Sequence, residues 1–284
     1  MKKVLSFFLS LFLVLALYSK QDLNLKPLNG QETANYIQTI YNELGPRIGS
    51  HLVEPNVVIT LAGLRGYANF LMHDLTQEEE NRINEFNIKH KNSGLLFTII
   101  DDKEDEIVDI LITNLKGYEY TSKISKLPFV VNYDASSGFQ GKDKWSKKIK
   151  ENIKNYFNDT KEYDQHPESH LHLGLMLGYP DQALLDMYNN IKAGLFGNNR
   201  AFIYSKIPYS DYYDCPQPNF SYFKESIKDE TIVNVEKSWG KLLEEFYTST
   251  WHKALSKDPI FIKIRQSEDE AHEQWFKKMR LDKN

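Results

Sequence analysis

The chain is poor in cysteine and lacks several sequence signatures that would assign a function. Cys215 is its one cysteine, so no internal disulfide can form. No G-x-S-x-G run occurs, which gives a hydrolase nucleophile elbow no support. There is no internal repeat, no low-complexity segment and no polybasic cluster. With a formal net charge of −4, the chain is not expected to bind nucleic acid, whose phosphates require a basic surface.

Long apolar runs are also missing, except at the N-terminus. Lys2 and Lys3 precede an almost wholly apolar segment of about fifteen residues, which is short for a membrane span and typical of a secretory signal. The sequence predicts a signal peptide at 1–19, a polar linker at 20–30 and one domain at 31–284. The product is expected to be exported, periplasmic or secreted. An uncleaved N-terminal membrane anchor is the alternative, since the cleavage site is weak, and no further membrane span is expected.

The rest of the chain predicts an α+β fold, in which a small antiparallel sheet of about four or five strands packs against a larger set of helices. Helices are expected at 32–44, from Pro55 through a leucine stripe ending at Leu75, from the Thr76 capping box to His90, and at 181–192. Further helices are expected from about Ile232 towards Leu255 and after Pro259. Strands are expected at 95–100, 107–113, 118–124, 129–133 and 201–205.

Histidines are concentrated in one stretch, 163–189, which begins Tyr-Asp-Gln-His-Pro-Glu-Ser-His-Leu-His. In a strand, His166, Glu168, His170 and His172 would share one face. In a helix, which the leucines and methionine favour, only His166 and His170 would lie one turn apart. The run Gly178-Tyr179-Pro180 is then expected to end that helix at a left-handed glycine, which makes a helical hairpin with 181–192.

This stretch predicts a candidate metal site. Asp164, His166 and His170 are the expected ligands of a divalent metal such as Zn, and Glu168 is the expected general base of a metal-dependent hydrolase. The interpretation that the sequence favours is structural, with these histidines capping the helix or lying half-exposed, and a pH-sensing role is a third possibility.

A second stretch, residues 207–223, combines three prolines with many aromatic residues, and we call it the aromatic loop. Tyr209, Tyr212, Tyr213 and Phe220 are the candidate binding residues, because tyrosine offers contact area and a hydroxyl at little entropic cost. The alternative is a long connection held to the core by its aromatic rings. The preferred hypothesis is a non-enzymatic exported protein that uses this loop to bind a protein, peptide or glycan. The metal-dependent hydrolase is the second hypothesis.

Overall fold

The fold comes from a computed structural model that describes residues 26–101, 107–127, 174–193, 202–205, 207 and 220–281. Within these ranges the helices are α1 (Gly30–Leu44), α2 (Pro46–His51), α3 (Pro55–Leu61), α4 (Gln77–Lys89), α5 (Leu115–Ile124), α6 (Asp181–Lys192), α7 (Glu230–Tyr247), α8 (Thr250–Leu255) and α9 (Pro259–Leu281). The strands are β1 (Tyr67–His73), β2 (Leu95–Asp101), β3 (Ile107–Asn114), β4 (Phe202–Tyr204) and β5 (Ser221–Phe223). A 3-10 helix, Lys224–Lys228, precedes α7.

The α+β fold class is confirmed, and the described strands form two small antiparallel sheets. The larger sheet has the order β1-β3-β2, and the predicted β2–β3 hairpin is present with Leu95 paired to Asn114. The hairpin's acidic tip, 102–106, lies outside the described residues. The smaller sheet pairs β4 with β5. Because β3 is central, its alternate residues Ile110 and Ile112 are fully buried.

Local sequence signals set several helix boundaries as predicted. A capping box of Asn29 and Glu32, which was not predicted, begins α1 at Gly30 rather than at residue 32, and Gly45 ends that helix with a φ of 88°. Thr76 and Glu79 form the predicted capping box of α4. Helix α6 spans the predicted residues, and Pro259 begins α9. These ends depend on contacts within one turn of chain, so the sequence predicts them well.

The predicted helix from Pro55 to Leu75 is wrong in its second half. Helix α3 ends at Leu61, and Gly63 follows with a φ of 83°. The chain then continues as β1, which is antiparallel to β3. The strand buries Ala68, Phe70 and Met72 at every second position. Hydrogen bonding to a partner strand far along the chain therefore overrides the helical spacing of the leucines.

The predicted strand at 118–124 is also wrong, because these residues belong to α5. The Asn114 side chain accepts hydrogen bonds from the N–H groups of Lys116 and Gly117 and so begins a helix where β3 ends. A Cβ on Gly117 would lie 2.0 Å from the carbonyl oxygen of Arg65, so only glycine lets α5 approach that closely. The predicted strand at 129–133 lies outside the described residues.

The C-terminal helices form much of the core with α1 and α3. Ile232, Trp239 and Phe246 of α7 are almost completely buried, as their spacing predicts. The helix does not run on to Leu255, since Thr248 ends it and the Ser249 side chain caps the separate helix α8. Among the described residues, no helix is long and apolar enough to cross a membrane.

Candidate functional site

The predicted metal ligands lie outside the described residues. Asp164, His166, Glu168 and His170 all fall in the segment 128–173. In the parts of the chain that are described, no group of three or more His, Cys, Asp or Glu side chains is arranged to hold a metal. The zinc hypothesis stays a prediction, which metal analysis of protein purified without chelator or nickel resin would test.

The end of the histidine stretch has the predicted geometry. Residues 174–176 are helical, and Gly178 adopts a φ of 71°. The N–H of Tyr179 donates to the carbonyl oxygen of Gly174, and the N–H of Gly178 donates to that of Leu175. This pair of bonds is a Schellman motif, in which a left-handed glycine ends the helix. Pro180 then stands at the N-cap position of α6, so the predicted turn between two helices is confirmed at its described end.

The aromatic loop is described only at its two ends. Tyr209, Tyr212 and Tyr213 lie outside the described residues. Phe220 is 2% exposed and packs against Tyr179, Tyr222 and Trp239, so the prediction that its side chain contacts a partner is corrected to a role in the core. Residues 221–223 are strand β5 rather than loop.

A short ribbon, β4 with β5, holds the two ends of the loop together. Ser205 anchors the ribbon, because its N–H donates to the Phe220 carbonyl and its hydroxyl accepts from the Phe220 N–H. Ile207 is buried next to this anchor. Alternate residues of a strand face opposite ways, and the inner residue Tyr222 is buried. The outer face therefore carries Phe202, Tyr204 and Phe223.

The outer face of this ribbon is aromatic and partly open to solvent. The rings of Phe202 and Phe223 lie 4.6 Å apart between centroids, and both residues are half-buried. Tyr204 is 66% exposed. The ribbon is itself fixed to the protein, since the Asp186 carboxylate of α6 accepts a hydrogen bond from the Phe223 N–H. The ribbon that carries the loop is thus anchored and has an aromatic outer face.

The base of the loop and the end of the histidine stretch meet at Trp239. The Phe220 ring lies edge-on to Trp239 at 5.9 Å and 5.7 Å from the ring of Tyr179. The guanidinium carbon of Arg65 lies 5.9 Å from the centroid of Trp239, which is cation–π distance. The two stretches that the sequence singles out therefore converge, at their described ends, on an arginine that the sequence does not single out.

Arg65 is a buried cation. Arg65 is 4% exposed, and its Nε atom has no hydrogen-bond partner within the described ranges. Burial lowers its pKa to about 10, and the only described groups that act in the opposite sense are the hydroxyls of Tyr179 and Tyr67. No described carboxylate thus compensates this charge. A signal for it was present in the sequence, because Arg65 interrupts an otherwise apolar stretch between Gly63 and Gly66.

The backbone at this point tolerates little added volume. A Cβ on Gly178 would lie 2.9 Å from both the Arg65 Cβ and the Leu64 carbonyl oxygen, and 3.2 Å from Trp239. Gly178→Ala is therefore expected to lower the free energy of unfolding by about 2–3 kcal/mol, from backbone strain plus overpacking. Gly63→Ala is the matched control, because Gly63 also has a positive φ but nothing within 4 Å of its Cβ position.

The control is expected to cost about 1 kcal/mol, from the left-handed backbone alone. Urea unfolding followed by circular dichroism compares the two variants. Equal costs would contradict the close contact of Gly178 with Arg65 and Trp239.

A second cluster of charged residues lies between α2, α3, α4 and α9. Glu54 accepts from the Nδ1 of His51 at 2.7 Å and from a terminal nitrogen of Arg265 at 3.1 Å. Glu268 accepts from the Nε of Arg47 at 2.6 Å, and Arg47 also pairs with Glu79 at 3.0 Å. Glu268 lies 3.8 Å from the Nε2 of His51, an electrostatic contact longer than a hydrogen bond. We call these six residues the buried ion-pair network: Arg47, His51, Glu54, Glu79, Arg265 and Glu268.

The network sets the ionisation of its members. Burial alone would lower the pKa of His51, but its contacts with Glu268 and Glu54 outweigh burial and raise that pKa. Burial raises the pKa of a carboxyl, yet His51 and Arg47 together lower that of Glu268 to about 2. The pKa of Glu54 is lowered in the same way, by His51 and Arg265. With His51 protonated, the network holds three cations and three anions.

Sequence patterns did not single out this network, because its residues are spread over 222 positions of the chain. One signal was available: Arg265, Glu268 and His272 recur at steps of 3 and 4, the spacing of a single helix face. Chemically, both guanidinium groups and both inner carboxylates are already paired within the network. The arrangement therefore ties α9 to α2 and to the start of α3.

Comparisons with known proteins add no assignment: no protein-family model, curated protein or solved structure matches this chain.

Proposed function

We propose that the chain is an exported, non-enzymatic protein that binds a protein, peptide or glycan partner through the aromatic loop and the ribbon that carries it. The observation that carries this proposal is the exposed aromatic outer face of the ribbon, where Tyr204 stands 66% exposed beside the Phe202–Phe223 pair. Aromatic residues are enriched in binding interfaces because they bury a large area with few rotatable bonds.

The way the ribbon is held supports the same proposal. Ser205 and Phe220 bond to each other at the base of the loop, and Ile207 and Phe220 are buried beneath it. Tyr209, Tyr212 and Tyr213 lie between these two fixed points in the sequence. Closing the ends removes part of the entropy that a long free loop would lose on binding a partner.

The experiment removes residues 208–219 and leaves the ribbon intact. Residues 208–219 are replaced by a short Gly-Ser turn, while Ile207 and Phe220 are kept because the core needs them. The shortened protein is expected to fold with an unchanged thermal midpoint and to capture at least tenfold less of the partner from an envelope extract. Capture is measured by pull-down and mass spectrometry, against the full-length protein.

Point substitutions separate the ribbon from the loop. Tyr204→Ser is expected to weaken capture severalfold, because it removes an exposed ring from the proposed contact surface. Ile88→Ser is the matched control, since Ile88 is 72% exposed on α4 and is not part of the ribbon. Unchanged capture by both the shortened protein and Tyr204→Ser would contradict the proposal that this surface binds the partner. N-terminal sequencing of protein from the cell envelope or medium tests export separately.

A further inference from the structure

We propose that Arg65 binds the carboxylate of a ligand that has an apolar or aromatic body. The proposal starts from a buried positive charge with no negative partner among the described residues. Arg65 is 4% exposed, its Nε atom makes no hydrogen bond there, its guanidinium lies 5.9 Å from the Trp239 ring, and the hydroxyls of Tyr179 and Tyr67 act on its charge. A buried charge that lacks a partner is strongly unfavourable, so such an arginine is expected to meet an anion.

The backbone of Arg65 is held firmly, as a recognition residue requires. The N–H of Gly66 donates to the carbonyl oxygen of Met176, and the carbonyl oxygen of Gly66 accepts from the N–H of Asn114. On the other side, Gly117 lies directly against the Arg65 carbonyl oxygen. Since three separate parts of the chain fix this loop, little conformational entropy remains to be lost when a ligand binds.

The geometry favours one way of binding. The guanidinium carbon of Arg65 lies 5.9 Å from the centroid of Trp239, so this ring stabilises the cation from one side. The Nε atom is buried and makes no hydrogen bond within the described residues, and a carboxylate can accept two parallel hydrogen bonds from the Nε edge of a guanidinium. A carboxylate held in this way lies in the plane of the guanidinium and satisfies the Nε donor.

Charge matching favours a carboxylate over a phosphate. A carboxylate carries one negative charge and neutralises one guanidinium. A phosphate group carries between one and two charges at neutral pH and would leave part of its charge uncompensated beside buried aromatic rings. The rings of Tyr179 and Trp239 instead suit an apolar group attached to the carboxylate.

This inference deepens the proposed function and rests on it for the view that the chain binds a ligand, because Trp239 and Tyr179 also pack on Phe220 at the base of the aromatic loop. The two proposals can fail separately. Loss of capture on shortening the loop concerns the partner, whereas the following experiment measures only carboxylate binding.

The experiment uses the complete protein and three probes: benzoate, the peptide acetyl-Ala-Ala-Phe with a free carboxylate, and the same peptide as its C-terminal amide. Inorganic phosphate is a fourth probe. At about ten times its dissociation constant, a bound carboxylate is expected to raise the thermal midpoint by about 3–5 °C. The amide and phosphate are expected to leave it unchanged. Tighter binding of the free peptide than of benzoate assigns a peptide carboxyl terminus, and equal binding assigns a small free carboxylate.

Arg65→Met removes the charge and keeps much of the side-chain volume. This variant is expected to lose at least tenfold in carboxylate affinity, while its unliganded thermal midpoint stays equal or rises, because a buried unpaired charge is gone. Arg82→Met is the matched control, since Arg82 is partly exposed and pairs with Glu78. Arg65→Lys, which keeps the charge without the planar fork, is the second variant and is expected to bind more weakly than the unaltered protein.

Two results would overturn the proposal. One is the absence of any carboxylate-dependent rise in the unaltered protein at about 10 mM probe, a concentration that detects even millimolar affinity. The other is a large fall in the thermal midpoint of unliganded Arg65→Met, which would mean that a carboxylate of the chain itself already pairs with Arg65.

Discussion

Arg265→Met is expected to lower the free energy of unfolding by about 3–5 kcal/mol, the range seen when one partner of a buried ion pair is removed. Glu54 is 0% exposed, and Arg265 and His51 are the groups that bind it within the network. Methionine keeps most of the apolar stem, so the loss reports mainly the charge. Removing one of three cations leaves the buried network with one net negative charge.

The matched control lies on the same helix. Lys277 pairs with Glu273 at 3.2 Å, but both side chains are about 70% exposed, so Lys277→Met is expected to cost less than about 1 kcal/mol. Urea unfolding at pH 7 measures both variants. Glu54→Gln, made in the unaltered protein and in Arg265→Met, completes a double-mutant cycle. A coupling energy above about 1 kcal/mol is expected between Glu54 and Arg265. Similar costs for Arg265→Met and Lys277→Met would contradict the network as a source of stability.

The second large effect is on the pH dependence of stability. Two buried groups, His252 and Asp109, change the free energy of unfolding in opposite directions as the pH falls. Burial among Phe246 and Tyr247 lowers the pKa of His252 to about 4. Burial raises the pKa of Asp109 to about 6, although a hydrogen bond from Asn69 opposes that rise. Asp109 lies on the central strand β3, where Leu71 and Ile100 are its cross-strand neighbours.

The sign of each contribution follows from which state takes up the proton first. The unfolded chain protonates His252 first, since its unfolded pKa is near 6.5, so stability is lost as the pH falls from 6.5 towards 4. The folded chain protonates Asp109 first, so stability is gained as the pH falls from about 6 towards 3.8. Between pH 7 and 4.5 each contribution amounts to about 2–3 kcal/mol.

Single variants are expected to reveal the two opposed contributions. In Asp109→Asn, His252 is the one group of this pair that still titrates, so the variant is expected to lose about 2–3 kcal/mol of stability between pH 7 and 4.5. His252→Phe leaves Asp109 alone and is expected to gain about 2 kcal/mol over the same interval. Urea midpoints measured at several pH values give these changes, and the double variant, which should follow the unaltered protein, is the control. Parallel pH profiles for the two single variants would contradict the buried ionisation states.

Much of the fold was predictable wherever a boundary depends on neighbouring residues. The capping box at Thr76–Glu79 formed as its spacing predicts, and Gly178 ends its helix in the left-handed conformation. Each of these signals acts within about one turn of the chain. The β2–β3 hairpin was predictable for the same reason, since its strands are adjacent in sequence.

The errors occur where partners are distant. The segment 61–75 has leucines at helical spacing, yet its residues 67–73 pair as a strand with β3 about 40 positions away. Residues 118–124 alternate like a strand, but the Asn114 cap and the close approach of Gly117 to Arg65 make them helical. Phe220 is an aromatic residue of the kind that binding surfaces contain, but its contact with Trp239 makes it part of the core.

By itself, the sequence determined the α+β class, several helix boundaries and the turn at Gly178, because these follow from composition, periodicity and capping within a few residues. Only the tertiary structure decided that Arg65, Tyr179 and Trp239 meet at the base of the aromatic loop, and that Glu54 pairs with Arg265 across 211 positions. Such pairings depend on which surfaces of the chain bury each other. Burial then decides which charges need a partner, since an exposed ion is solvated by water and a buried one is not.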